Sequence, residues 1–132
     1  MSRKIKWKVD VTVESGPTLT AGDSIDVEAY DFVRAEVPGG DATTAGTATV
    51  DVQPSGAGKV LFIGIKSDVY DEKLTYKVDG AGLDVKLDSA QVFVGGGALG
   101  LLGTTTKQFV FTNKAGLSKK AAVEILVGRK AT

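Results

Sequence analysis

The side chains in this sequence that could do chemistry are acids, lysines and a few aromatics, because the chain contains neither histidine nor cysteine. That absence excludes disulfides, imidazole or thiolate zinc sites, and any nucleophile activated by a Ser-His-Asp or Cys-His pairing. Carboxylates remain. Asp68, Asp71 and Glu72 crowd one predicted loop, with Asp84 and Asp88 on the hairpin arm that follows, so a Ca²⁺ or Mg²⁺ site built from oxygens is the metal chemistry this composition allows. No EF-hand spacing orders these acids, and loop acids are ordinarily solvated. A glycosidase-like carboxylate pair can be drawn from the same residues, but any two surface acids would qualify. Neither an enzyme nor a cofactor is expected.

Two glycine motifs approach phosphate-binding patterns and miss. Gly56-Ala57-Gly58-Lys59 ends like a P-loop, but Gln53 stands at the first glycine position, Val60 stands where a Mg²⁺-binding hydroxyl belongs, and a strand follows. Gly95-Gly96-Gly97-Ala98-Leu99-Gly100 fits the dinucleotide fingerprint formally, yet no βαβ unit surrounds it. The glycines at 95, 96, 97, 100 and 103 predict a loop and argue against a stable helix. Its Leu99, Leu101 and Leu102 either tuck under the domain as a lid or protrude as a contact for another protein.

The candidates for stacking on a sugar are Trp7, Tyr30, Tyr70 and Tyr76. Trp7 shares its parity with Ile5 and Val9, which favours core packing over ligand stacking. Lys4, Lys6 and Lys8 lie on the opposite face beside Arg3. No aromatics are interleaved with them, so they read as edge protection more readily than as a nucleic-acid contact.

The elements that must position these residues are strands. Residues 4–14 alternate strictly, with Ile5, Trp7, Val9, Val11 and Val13 on one side, which predicts a strand with one buried face. After Ser15-Gly16-Pro17 a second strand is predicted near Ser24 through Ala29, then a bulge or break near Asp31 where the phase slips, then a shorter strand through Ala35 and Val37. Residues 42–46 read as a loop, and residues 47–52 as a strand with Ala48, Val50 and Val52 inward. Residues 54–58 are a turn. Residues 60–65 form a continuous apolar run, the mark of a strand covered on both faces and the best core candidate. The runs of Leu74, Tyr76, Val78 and of Leu83, Val85, Leu87 flank a glycine turn and predict a hairpin. Residues 91–94, 107–113 and 121–129 complete the set, the last two predicted as neighbours across the turn Asn113-Lys114-Ala115-Gly116. Ser118 followed by Lys119-Lys120-Ala121-Ala122 could also start a helix; the β-branched Val123, Ile125 and Val127 favour a strand.

About eight to ten short strands, with turn signals about every ten residues, imply an all-β chain forming a single antiparallel β-sandwich or partly closed barrel over residues 1–132. The apolar run at 60–65 is far short of the roughly 20 residues of a membrane helix, so no membrane span is expected. The basic start runs into a strand pattern instead of an apolar signal core, so cytoplasmic synthesis is expected. Charge sums to zero but is uneven: residues 1–8 carry +4, residues 107–132 carry +5, and the 98 residues between them carry −9. The basic ends, including Arg129 and Lys130, either lie against acidic strands of the same sheet or meet acidic surfaces of other subunits.

The short strands rich in Gly, Thr, Ala and Val, the lack of His and Cys, and the stretch Lys107-Gln108-Phe109-Val110-Phe111-Thr112-Asn113 running on to Val123-Glu124-Ile125-Leu126-Val127-Gly128-Arg129 resemble small accessory β-proteins of tailed-phage particles, such as head-decoration and tail proteins. The resemblance implies a non-enzymatic structural protein that self-associates or docks on a larger assembly, incorporated in a virion. Its partners would be proteins, most simply further copies of the chain. The expected contact residues are Leu99, Leu101 and Leu102 together with Arg3, Lys4, Lys6, Lys8, Arg129 and Lys130, and the loop of residues 37–46. The other expectation is a carbohydrate- or Ca²⁺-binding β-sandwich module, with Asp68, Asp71 and Glu72 as metal ligands.

Overall fold

A computed structural model describes residues 3–52, 60–79, 81–102 and 108–130. The Gly56-Ala57-Gly58-Lys59 motif, the turn of residues 54–58, Gly103 and Lys107 lie outside the described residues. Ten strands follow one another: β1 (Arg3–Thr12), β2 (Thr18–Val27), β3 (Ala29–Val37), β4 (Gly46–Asp51), β5 (Val60–Ser67), β6 (Leu74–Val78), β7 (Ala81–Lys86), β8 (Gln91–Val94), β9 (Gln108–Asn113) and β10 (Ala121–Arg129). They form two four-stranded antiparallel sheets, β3-β10-β5-β8 and β4-β9-β6-β7, and a two-stranded ribbon, β1-β2. The architecture is an all-β sandwich with no closed barrel, and among the described residues no helix is long and apolar enough to cross a membrane.

Alternation along each strand sends one set of side chains between the sheets. Val33, Ala35, Val37, Val123, Ile125, Val127, Ile63 and Ile65 from the first sheet meet Val50, Leu74, Tyr76, Val78, Phe109 and Phe111 from the second in one core. Its centre is aromatic: the Tyr76 ring lies 5.6 Å from Phe109 and 5.7 Å from Phe111. The Tyr76 hydroxyl donates to Gln91 Oε1 at 2.7 Å, which keeps the phenol paired inside. Strand β5 is covered on its inner face and, at Phe62, on its outer face, part of what its unbroken apolar run predicts. Ile63 and Ile65 point into the core, while Phe62 points away from it and is buried all the same.

Burial pushes the Tyr76 phenol above its ordinary value of 10.0. The unfolded phenol loses its proton as pH rises past 10 and the folded one does not, so the folded state binds more protons there and stability falls with rising pH. Below pH 10 the contribution is fully present. The expected result is a urea midpoint that drops between pH 10 and 11.5 in the unaltered protein and drops less steeply in Tyr76→Phe. At neutral pH that variant should lose about 1 kcal/mol for the missing hydrogen bond.

Among the connections that cross between the sheets at one end, β3 to β4 and β9 to β10 are laced together. Gly40 bridges Gly116, whose N–H donates to the Gly40 carbonyl at 2.8 Å. Asn113, fully buried, donates from Nδ2 to the Lys119 carbonyl at 2.8 Å and accepts from the Ala115 N–H at 3.0 Å. Strands β9 and β10 belong to opposite sheets. The predicted pairing across the Asn113 to Gly116 turn is incorrect, because a turn signal shows that the chain reverses but not whether the next strand rejoins the same sheet. Residues 121–129 are strand, as their β-branched content favours.

Two further expectations are corrected. The break predicted at Asp31 falls at Glu28, between β2 and β3. Residues predicted as a glycine loop form one helical turn, α1 (Gly95–Leu99), and a 3₁₀ turn, Gly100–Leu102. Gly95 reverses the chain at φ +86°, and Leu99 and Leu102 then pack on the core. Packing of these two partly buried leucines offsets the poor helix propensity over so short a span. A Cβ placed on Gly97 meets nothing within 4 Å, so Gly97→Ala should raise stability by about 0.5–1 kcal/mol; thermal denaturation will show it as a higher Tm.

Candidate interaction surface

The ribbon is the part of the fold that packing within the chain does not explain. Strands β2 and β3 make one long, bent strand. β10 pairs its second half up to Arg129 opposite Ala29, and β1 takes over from Arg3 opposite Val27. The Glu28 N–H donates to the Arg129 carbonyl at 3.0 Å and holds the bend.

At its base the ribbon is anchored. Gly128 faces away from the core, and a Cβ there would lie 2.5 Å from Ile5 Cδ1 and 2.9 Å from Val27 Cγ1. Ile5 and Val27 thus close over Gly128 and Phe62 on the outer face of the first sheet, in a small cluster separate from the main core. Trp7 is half-buried in the ribbon and does not join that core, contrary to its expected packing there. Its indole N–H is buried without a hydrogen-bond partner among the described residues.

Beyond the base the ribbon stands free. Every residue from 10 to 24 is exposed, although one face of the ribbon is apolar: Val9 pairs with Ala21, and Val11 with Leu19. Val11, Val13 and Leu19 are 51%, 56% and 63% exposed. The expectation of one buried face along residues 4–14 is therefore corrected. Period-2 alternation shows that a face is apolar, but not that the same chain covers it. The turn at the tip, with Ser15 in the left-handed region and the Val13 N–H donating to the Pro17 carbonyl at 3.0 Å, closes a regular hairpin.

A groove of about 550 Å³ runs between the ribbon base and the outer face of the first sheet, lined by Arg3, Lys4, Lys6, Tyr30 and Leu126 among others. Next to it, Phe32, Leu126, Gly64 and Val92 form one cross-strand row, with Phe32 and Val92 more than half exposed. The other notable concavity, about 920 Å³ on the outer face of the second sheet, interleaves Asp41, Glu72 and Asp84 with Lys73, Lys77 and Lys114, and no aromatic residue lines it.

Most residues expected to make contacts have partners within the chain. Lys4 pairs with Asp26 at 2.9 Å, Lys8 with Asp10 at 3.5 Å and Arg129 with Asp31, while Arg3 lies 5.6 Å above the Tyr30 ring. Lys6 and Lys130 have no ion pair among the described residues. The leucine trio divides: Leu99 and Leu102 pack on the core, and Leu101 is 80% exposed. Asp68 Oδ1 accepts the Ala122 N–H at 2.7 Å and Asp71 Oδ1 accepts the Lys73 N–H at 2.8 Å. Among the described residues no three acids converge as a metal-binding group. The aromatic residues do not share a platform either, since Tyr76 is interior and the Tyr70 hydroxyl accepts the Ser67 N–H at 3.2 Å.

Sequence reasoning missed Val11, Val13 and Leu19 as contact residues. A signal was present: the stretch that pairs with residues 7–12 is Thr18-Leu19-Thr20-Ala21-Gly22-Asp23, too poor in large apolar side chains for a strand inside a core. Compared with known protein families, curated proteins and solved structures, the chain matches none.

Proposed function

We propose that this chain is a structural protein without catalytic activity, which assembles with further copies of itself through the β1-β2 ribbon. The observation that carries this reading is the uncovered apolar face of the ribbon. An isolated two-stranded hairpin is marginal in water, and exposed apolar surface on a small protein ordinarily marks a contact. Here a hairpin with ten residue pairs in register presents Val11, Val13 and Leu19 to solvent, so a partner that covers them contributes both affinity and rigidity. The exposed Leu101 on the short helical segment provides a second apolar contact, and incorporation in a particle such as a virion would place many copies at the concentration that assembly needs.

Light scattering coupled to size exclusion, over a range of protein concentrations and at low and high salt, tests the reading. A mass above that of one chain that grows with concentration is the expected result. One-chain mass under every condition contradicts self-assembly.

A further inference from the structure

We propose that the tip of one ribbon seats in the groove at the ribbon base of the next copy, a head-to-tail contact between identical chains; this rests on the self-assembling reading above and names the two surfaces involved. The surfaces match in charge. Residues 9–24 contain Asp10, Glu14 and Asp23 and no lysine or arginine. Asp10 is paired with Lys8 inside the ribbon and Asp23 sits opposite Trp7 towards the base, which leaves Glu14 as the acid of an apolar tip that carries no cation. The groove is the converse: Arg3, Lys4 and Lys6 edge a floor that includes Tyr30 and Leu126. Asp26 offsets Lys4, so Arg3, which lies over the Tyr30 ring, and Lys6 are the groove cations without an ion pair among the described residues.

The tip cannot fill the groove of its own chain. Groove residues sit at positions 3–6 of β1 and the tip at positions 11–19. At about 3.3 Å per residue the two are roughly 20 Å apart along one ribbon. The contact is therefore between chains, and it joins two different surfaces. Such a heterologous contact closes into a ring when the rotation between copies permits and otherwise runs on as a filament.

Charge reversal on each side provides the test, read as association by light scattering at low salt with Tm as the check on folding. Lys6→Glu and Glu14→Lys are both exposed substitutions and should leave Tm unchanged. Each variant alone should associate about tenfold more weakly than the unaltered chain, because its junctions bring like charges together. An equal mixture of the two should regain association, since each tip then finds an oppositely charged groove. If the unaltered chain assembles and both variants assemble equally well, or the mixture regains nothing, the tip-in-groove contact is overturned while self-assembly stands. If the unaltered chain is a monomer throughout, the self-assembling reading itself fails.

Discussion

Replacing Val11, Val13 and Leu19 together with threonine should reduce the protein to single chains without lowering its Tm. Threonine keeps the β-branched preference for a strand, so the hairpin keeps its register. It also replaces apolar contact area with a hydroxyl that prefers water. These three positions lie in the stretch where every residue is exposed, and exposed substitutions ordinarily shift stability by no more than about 0.5 kcal/mol. A loss of assembly would therefore come from the contact and not from the fold. Light scattering gives the mass and calorimetry gives the Tm. Retained assembly would move the contact elsewhere, and a large fall in Tm would mean that the ribbon tip supports the sandwich in a way its exposure denies.

The largest expected effect on the fold itself is from a single methyl group. Gly46 opens β4 where the β3 to β4 connection passes it, and a Cβ there would lie 1.8 Å from the Pro38 carbonyl oxygen; a Cβ on Gly40 would lie 2.1 Å from the Gly46 N. Both obstacles are backbone, which has no rotamer to yield. Gly46→Ala must therefore push the two ends of the β3 to β4 connection apart and strain the Gly40–Gly116 bridge that this connection makes. We expect a cost above about 3 kcal/mol, at the upper end for overpacking, and a fall in Tm of about 10 °C or more. Gly128→Ala makes an informative contrast. Its nearest obstacle, Ile5 Cδ1, is the far end of a flexible side chain, so the substitution should cost less and act on the ribbon base.

The core was legible in the sequence because strand alternation and burial coincide there. Leu74, Tyr76 and Val78, Phe109 and Phe111, and Val123, Ile125 and Val127 all point between the sheets as their parity predicts, and the run at 60–65 is covered on its inner face and, at Phe62, on its outer one. What was not legible is pairing between distant strands. Nothing local distinguishes a turn that rejoins its sheet from one that crosses the sandwich, so the relation of β9 to β10 was misread. The ribbon was misread for a related reason: the pattern Ile5, Trp7, Val9, Val11, Val13 has one period throughout, but a bend at Glu28 and the pairing of β1 with β2 alone carry its second half away from the body. The helical turn at Gly95–Leu99 escaped because Leu99 and Leu102, packed on the core, hold a segment that propensity alone would leave irregular.

Amide hydrogen exchange of residues 9–24 in the unaltered protein, followed as concentration rises and compared with the mass in the same samples, reads the ribbon contact itself. In single chains these ribbon amides should exchange rapidly, since no tertiary burial holds the hairpin closed. As the mass grows, protection should appear at residues 9–24 in step with it. A mass that grows while these amides keep exchanging at the single-chain rate would mean that the ribbon is not the assembly contact.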